Sequence, residues 1–311
     1  MSLLSIVPTH EKTQLQVYQG CILTQHAYPV VDGRPGISLT LENLHDTYNI
    51  LLEPGTSNLA WGNSQALAVT LQANPVGDWL FCSPENIQPL QPRSLLHLPS
   101  SQLHSADCVQ RTENLFQSCP ITEIRQFVFS VLGDTQIGCA YFSFPASRDH
   151  HHSVAGGLAE HSLEVAKSVF AATSGFDEHE RWLAATVGLL HDLGKVRTFQ
   201  ANGKRTLLGR LVTHEQITLE LLVPAINQLE SSWPDGAYTI RYLLNWLLAP
   251  RQTRPLMPIA LAIKQADIMS AAADSRRQAF SGKPDWQRLA AHETSGPRSL
   301  YWLPSRPPQN Q

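Results

Sequence analysis

The sequence predicts an α+β protein in which a small N-terminal β-barrel-like domain precedes an all-helical domain, and three observations predict it. The first hundred residues read as short strands punctuated by turn chemistry. After Pro120 the apolar spacing switches to the helical period of about 3.6 residues. From Gly157 onward almost every segment keeps that period. The expected division is a β domain over residues 1–100, a helical domain over 101–280 and a tail over 281–311.

In the β region, "GISLTLEN" alternates apolar and polar residues, and "YNILLE", "ALAVTLQ" and "DWLFCS" are short apolar runs. They are bounded by "DGRPG", "EPGTSN", "WGNS" and "NPVGD", whose Gly, Pro and Asn favour tight turns. Roughly five or six such strands in about 80 residues fit a small barrel or sandwich. "QPLQPRSLLHLPSSQLHS" reads as a linker. "ADCVQRTENLFQSC" and "ITEIRQFVFSVLGD" have helical spacing, the second closing at Gly133. Within the helical half, "KVRTFQANGKRTLLGR" predicts a hairpin turning at Asn202–Gly203. The tail after Ser281 is rich in Pro, Gln and Arg and is expected to wrap the surface or fray.

Composition narrows the functional class. Of 311 residues, 42% are hydrophobic and 16% charged, so the chain buries well and is not disordered overall. The net charge of −3 excludes a global positive field, so a polyanion needs a local basic patch or metal ions. Five cysteines without a CxxC pair indicate neither a disulfide framework nor a thiolate zinc site. With no basic, apolar leader in "MSLLSIVPTHEK" and no apolar run of about 18 residues, the expectation is a cytoplasmic protein without membrane contact.

Four helical patterns place a ligand-type residue on the stripe expected to face the core. His161 lies between Leu158 and Val165. Leu183, Val187 and His191 step by four, and Asp192 follows the small row Ala184, Gly188, where another segment can approach. His214 lines up with Ile217 and Leu221, and Asp267 with Ile259 and Ile263. A lone inward histidine is ordinarily a hydrogen-bonded core residue. Two inward carboxylates and three inward imidazoles are harder to satisfy that way, because a buried carboxylate is costly unless paired or bound to metal. His161, His191, Asp192, His214 and Asp267 are therefore the candidate metal ligands. Nitrogen and oxygen donors without thiolate suit manganese, iron, zinc, cobalt or nickel best and magnesium less well, as one ion or two.

The same residues carry a resemblance. "GGLAEHSLEVA", "LLHDLGK" and "ADIMSAAAD" resemble, in that order, the HD superfamily of metal-dependent phosphohydrolases, whose H…HD…D pattern is matched by His161, His191–Asp192 and Asp267. The wording "PASRDHHHSVAGGLAEHSLEVA" is similar to the TraI-type relaxase domain of conjugative elements. The β-rich N-terminus and the length resemble 3′→5′ exoribonucleases that set a small OB-type barrel before an HD domain. Both resemblances imply an OB-like plus HD architecture or an HD core acting on nucleic acid, single-stranded RNA or DNA. Where dinuclear relatives carry a further histidine, this chain reads "RYLLNWLLAPRQ". A second ion is then weakly held, held by other groups such as the triple histidine, or absent.

The chemistry implied is phosphodiester hydrolysis by a water whose pKa an ion lowers from about 15.7 towards about 7. Asp192 bridges two ions or orients the water. Lys195 stabilises an oxygen of the phosphate, or else complements a helix C-terminus. His151 or His152 protonates the leaving group or holds a second ion, or the run His150–His152 only anchors a loop. Lys195, Arg197, Lys204, Arg205 and Arg210 form either a phosphate track or a solvated hairpin. Tyr18, Trp61 and Trp79 stack bases or fill the β core. Competing readings are a TraI-type relaxase-like DNA-processing protein of a mobile element, a nucleotide phosphohydrolase, and a non-catalytic binding module with a structural metal.

Overall fold

In the computed structural model, strand β1 (Gln16–Pro29) pairs with β4 (Leu67–Val76) along its first half and with β2 (Pro35–Glu42) along its second. That double pairing rolls the sheet up. β2 pairs with β3 (Thr47–Leu52), β3 runs parallel to β5 (Trp79–Cys82), and β5 returns to β4. The order β1-β2-β3-β5-β4 thus meets itself in a five-stranded, barrel-like sheet, consistent with the expected OB-like architecture. A short β6 (Ile87–Pro89) adds to Val69–Leu71 of β4. The structure describes residues 15–29, 35–52, 67–147, 152–248, 254–292 and 299–305. His150, His151 and Trp61 lie outside them, as do most of the segments read as turns.

Alternation fills the barrel as the pleat requires: Ile37, Leu39 and Leu41 of β2, Ile50 and Leu52 of β3, and Val69, Leu71 and Ala73 of β4 are all buried. β1 escaped the sequence pattern because it breaks period two. Its register shifts between Ile22 and Thr24, and Gly20 lies so close to the neighbouring backbone that a Cβ would meet the Glu42 carbonyl oxygen at 2.6 Å.

The chain divides into two compact units, Met1–Phe142 and Ser143–Gln311. This differs from the boundary expected at residue 100, for a packing reason. The stretch read as a linker buries Leu95 and Leu98 completely. The Leu95 amide donates to the Glu113 carboxylate at 2.7 Å, and the His97 ring lies 2.8 Å from the Gly133 carbonyl oxygen. These contacts bind α1 (Ala106–Gln117) and α2 (Thr122–Leu132), and α3 (Thr135–Tyr141) with them, into the first unit.

The second unit is helical. α4 (Gly157–Ala172) packs on α5 (Glu178–Leu190), and α10 (Ile259–Phe280) packs on both. α8 (His214–Ser232) packs on α9 (Pro234–Leu248), and short α6 (Lys195–Thr198) and α7 (Leu208–Leu211) join α5 to α8. The expected hairpin is cut back to one bridge, Phe199 to Arg205, around a turn with Gly203 at φ +74°. Leu208–Leu211 coils into α7 and leaves no second strand. β7 (Leu289–His292) and β8 (Ser299–Trp302) form a hairpin, and the His292 ring sits 2.8 Å from Gln278 on α10. Among the described residues no helix is long and apolar enough to cross a membrane.

Candidate metal centre

The core of the second unit brings three separate segments to one point. His161 projects from the second turn of α4 and is fully buried. His191 caps the C-terminus of α5, with Asp192 next to it. Asp267 projects from α10. Ligand atoms of His161, His191 and Asp192 all lie within 4.8 Å of one another. Asp267 Oδ1 closes the group, 3.2 Å from His161 Nε2 and 3.7 Å from His191 Nε2. Asp192 Oδ2 faces the same nitrogens at 3.7 and 3.4 Å.

Local packing aims these groups. Gly188, on the small row of α5, lets α4 approach closely: a Cβ there would touch Val165 and the Ala166 backbone at 3.3–3.4 Å. Gly194 is required by close approach rather than by its backbone angles. Its φ is −58°, an ordinary helical value, but a Cβ would fall 1.9 Å from the His214 carbonyl oxygen. Only glycine lets the turn after Asp192 press against the start of α8. Thr218 seals that contact, its hydroxyl accepting from the Gly194 amide at 2.8 Å.

His214 departs from the inward stripe expected of it. It is the first residue of α8, capped by Thr213, and its side chain is 28% exposed. There it meets the outer oxygen of the other carboxylate, with Nε2 3.0 Å from Asp192 Oδ1. Asp267 is also at the rim, 34% exposed, so the site opens on the side of Asp267 and His214.

Electrostatics follow from this crowding. Burial favours a protonated Asp192, but Lys195, His191 and His214 outweigh it and hold the carboxyl well below its ordinary range. Burial opposes ionisation of Asp267 too, and the two imidazoles beside it overcome that. The histidines diverge. Burial pushes His161 down and is not offset by Asp267. Burial also disfavours charge on His191, but Asp192 and Asp267 together raise it. Lys195 Nζ, itself buried, stands 2.6 Å from Asp192 Oδ2.

The group fits a divalent cation. His191 Nδ1 faces the Gly188 carbonyl oxygen at 2.8 Å, an acceptor, so that nitrogen carries the proton and the lone pair is on Nε2. That Nε2 is buried and makes no hydrogen bond. On His161, Nδ1 faces the Ser270 hydroxyl at 3.0 Å. Ser270 commits its own hydrogen to Glu164 at 2.7 Å, so it accepts from His161 and again leaves the lone pair on Nε2. Two imidazole lone pairs and two carboxylate oxygens converging without thiolate form the donor set of a first-row divalent ion.

His152, the described member of the triple histidine, sits beside this group with its ring 5.3 Å from that of His161. Its Nε2 faces Ser270 and Glu164 at 3.4 and 3.5 Å, so it shares the partner of His161 Nδ1, the nitrogen turned away from the carboxylates. Its backbone amide donates to Asp274 Oδ2 at 2.6 Å, at a strained φ of +46°. Sequence reasoning missed Glu164, Ser270, Asp274 and Thr218. Ser270 lies one turn beyond Asp267 and Glu164 three residues beyond His161, a spacing that could have marked them.

The family model described as HD domain matches residues 158–272, which contain His161, His191, Asp192, His214 and Asp267. The match supports HD-superfamily membership for this segment and, with it, metal-dependent phosphohydrolase chemistry in general. No curated protein and no solved structure matches the chain.

Proposed function

We propose that the helical unit is a metal-dependent phosphodiesterase acting on single-stranded nucleic acid, with His161, His191, Asp192 and Asp267 holding a divalent ion. One observation carries it: the lone pair of His191 Nε2 is buried, lacks a hydrogen bond and faces two carboxylate oxygens at 3.4 and 3.7 Å. Such an ion supplies Lewis acidity and an acidified water beside the substrate phosphorus.

The protein's own residues prepare that step. Lys195 fixes the rotamer of Asp192 from the buried side. His214 meets the opposite oxygen at the exposed rim, where it would hold a second ion or a water or protonate the leaving group. Gly188 and Ser270 hold the two imidazoles in the tautomer that presents Nε2. The open edge at Asp267 and His214 admits a substrate too large to be enclosed. Nucleic acid is favoured by the barrel as well. A cleft of about 600 Å³ on the first unit is lined by Tyr18, Tyr48, His45 and Arg93, which offer ring edges and a cation to bases and phosphates. Tyr18 and Tyr48 meet edge to face at 5.1 Å.

The test is cleavage of end-labelled single-stranded RNA and DNA by protein loaded with manganese, beside a panel of free nucleotides. Stepwise shortening of an oligonucleotide supports the 3′→5′ exonuclease form of the reading. A single nick at one sequence indicates a relaxase-like DNA-processing protein. Phosphate release from nucleotides alone replaces the reading with a nucleotide phosphohydrolase.

A further inference from the structure

A second cavity, of about 290 Å³, opens beside His214. Its walls include Phe199, Arg205, Arg210, Leu211, His214 and Glu215. The five cations read as one track from the sequence separate here. Lys195 is buried on Asp192, whereas Arg205 and Arg210 stand exposed at this cavity. Among the described residues neither guanidinium is paired with a carboxylate. Glu215, the acid in the wall, faces His214 at 3.4 Å.

The cavity is built rather than incidental. Arg205 is steadied by its bond to the Gly209 carbonyl oxygen at 3.3 Å and lies 5.9 Å above the Phe199 ring. Gly209 itself is forced by close approach, since a Cβ would fall 2.1 Å from the Thr198 carbonyl oxygen. Leu211 is 77% exposed, an apolar side chain left in water at the mouth. Two guanidiniums without a carboxylate partner, with an aromatic and an aliphatic wall, match an anionic ligand that also carries a flat or apolar part.

We infer that this cavity receives the nucleotide next to the cleaved phosphodiester, its phosphate on Arg205 and Arg210 and its sugar and base along Phe199 and Leu211. The inference rests on the nucleic-acid reading above and adds to it a place for the neighbouring unit. The cavity shares His214 with the metal centre, so a chain bound in it leads to the ion. A free nucleoside monophosphate cleaved at the ion has no second phosphate to place here, so the site favours polymers over it.

The experiment separates binding from cleavage. Fluorescence anisotropy with a 5′-fluorescein single-stranded oligonucleotide is run in EDTA, where no metal-dependent cut occurs. It compares wild type, Arg205→Ala/Arg210→Ala and Arg205→Lys/Arg210→Lys, with circular dichroism as the check on folding. The alanine pair is expected to weaken binding about tenfold at low salt and to reduce the slope of log Kd against log salt by about 0.7, the value for the one single-strand phosphate contact it removes. The lysine pair is expected to keep most of the slope and to lose part of the affinity, because a lysine cannot form a two-pronged contact. Under cleavage conditions the alanine pair raises KM more than it lowers kcat. An alanine pair that is folded and binds within twofold of wild type, or with an unchanged salt slope, overturns the inference. Weakened binding in a protein whose wild type cuts no oligonucleotide leaves the cavity assigned and overturns the catalytic reading instead.

Discussion

Ser270 Oγ stands 3.0 Å from Nδ1 of His161 and 2.7 Å from Glu164 Oε2, so one hydroxyl accepts from the imidazole and donates to the carboxylate. The pair sets which nitrogen of His161 offers its lone pair to the metal centre. Replacing Ser270 with Ala removes that bond without touching a proposed ligand. Partners of this kind are worth about 10–100-fold in metal affinity. Titration calorimetry with Mn²⁺ should show a loss in that range for S270A and a smaller one for S270T, which keeps the hydroxyl.

Lys195 neutralises Asp192 in the interior at 2.6 Å. Removing one partner of a buried ion pair costs about 3–5 kcal/mol, because the other charge stays behind. Lys195→Met should lower metal-free stability by an amount of that order in denaturant titrations. Saturating Mn²⁺ should recover part of the loss, since an ion supplies Asp192 with a replacement countercharge.

Gly194→Ala probes the approach of two segments. The new methyl lands 1.9 Å from the His214 carbonyl oxygen and 2.7 Å from the Thr218 amide nitrogen, so α8 must shift. Overpacking of this kind costs about 1–3 kcal/mol. Thermal melts should report the loss, and Mn²⁺ affinity should fall with it if the shift carries His214 away from Asp192.

Glu42 links pH to the stability of the first unit. Burial alone raises its pKa, but bonds from the Ser100 hydroxyl, the Ser101 hydroxyl and the Ser101 amide, at 2.6–2.7 Å, lower it overall. A carboxyl depressed on folding stabilises the fold fully above its unfolded pKa of about 4.3, and that contribution is lost as pH falls through the folded value. Glu42→Gln should cost about 1.5–3 kcal/mol at pH 7, the range for hydrogen bonds to a charged group. Urea titrations of the two proteins should converge as pH drops below about 4.

Much of the site was legible because helical spacing is strict. His161, His191, Asp192 and Asp267 fall at positions where a helix faces its neighbours, and the folded unit gathers them. His214 was misjudged because it opens its helix, where the capping Thr213 decides direction and periodicity does not. Glu164 and Ser270 were illegible because they act through contacts between α4 and α10 that no single-helix pattern contains. In the first unit, β2 to β5 announced themselves by alternation and turn residues. β1 did not, because its bulge breaks the period and it serves two neighbours in turn. The boundary moved from 100 to 142 because Glu113 and His97 tie the connecting segment into the barrel's unit, and a Pro- and Ser-rich composition does not reveal such ties.

The most direct measurement is the divalent metal content of protein purified without a histidine tag, by elemental analysis, for wild type, His191→Ala and Asp267→Ala. The account predicts metal in stoichiometric proportion to the wild-type chain and its loss from both folded variants. Wild-type protein that retains no divalent metal after incubation with manganese, iron or zinc would contradict it, and so would variants that keep the full amount.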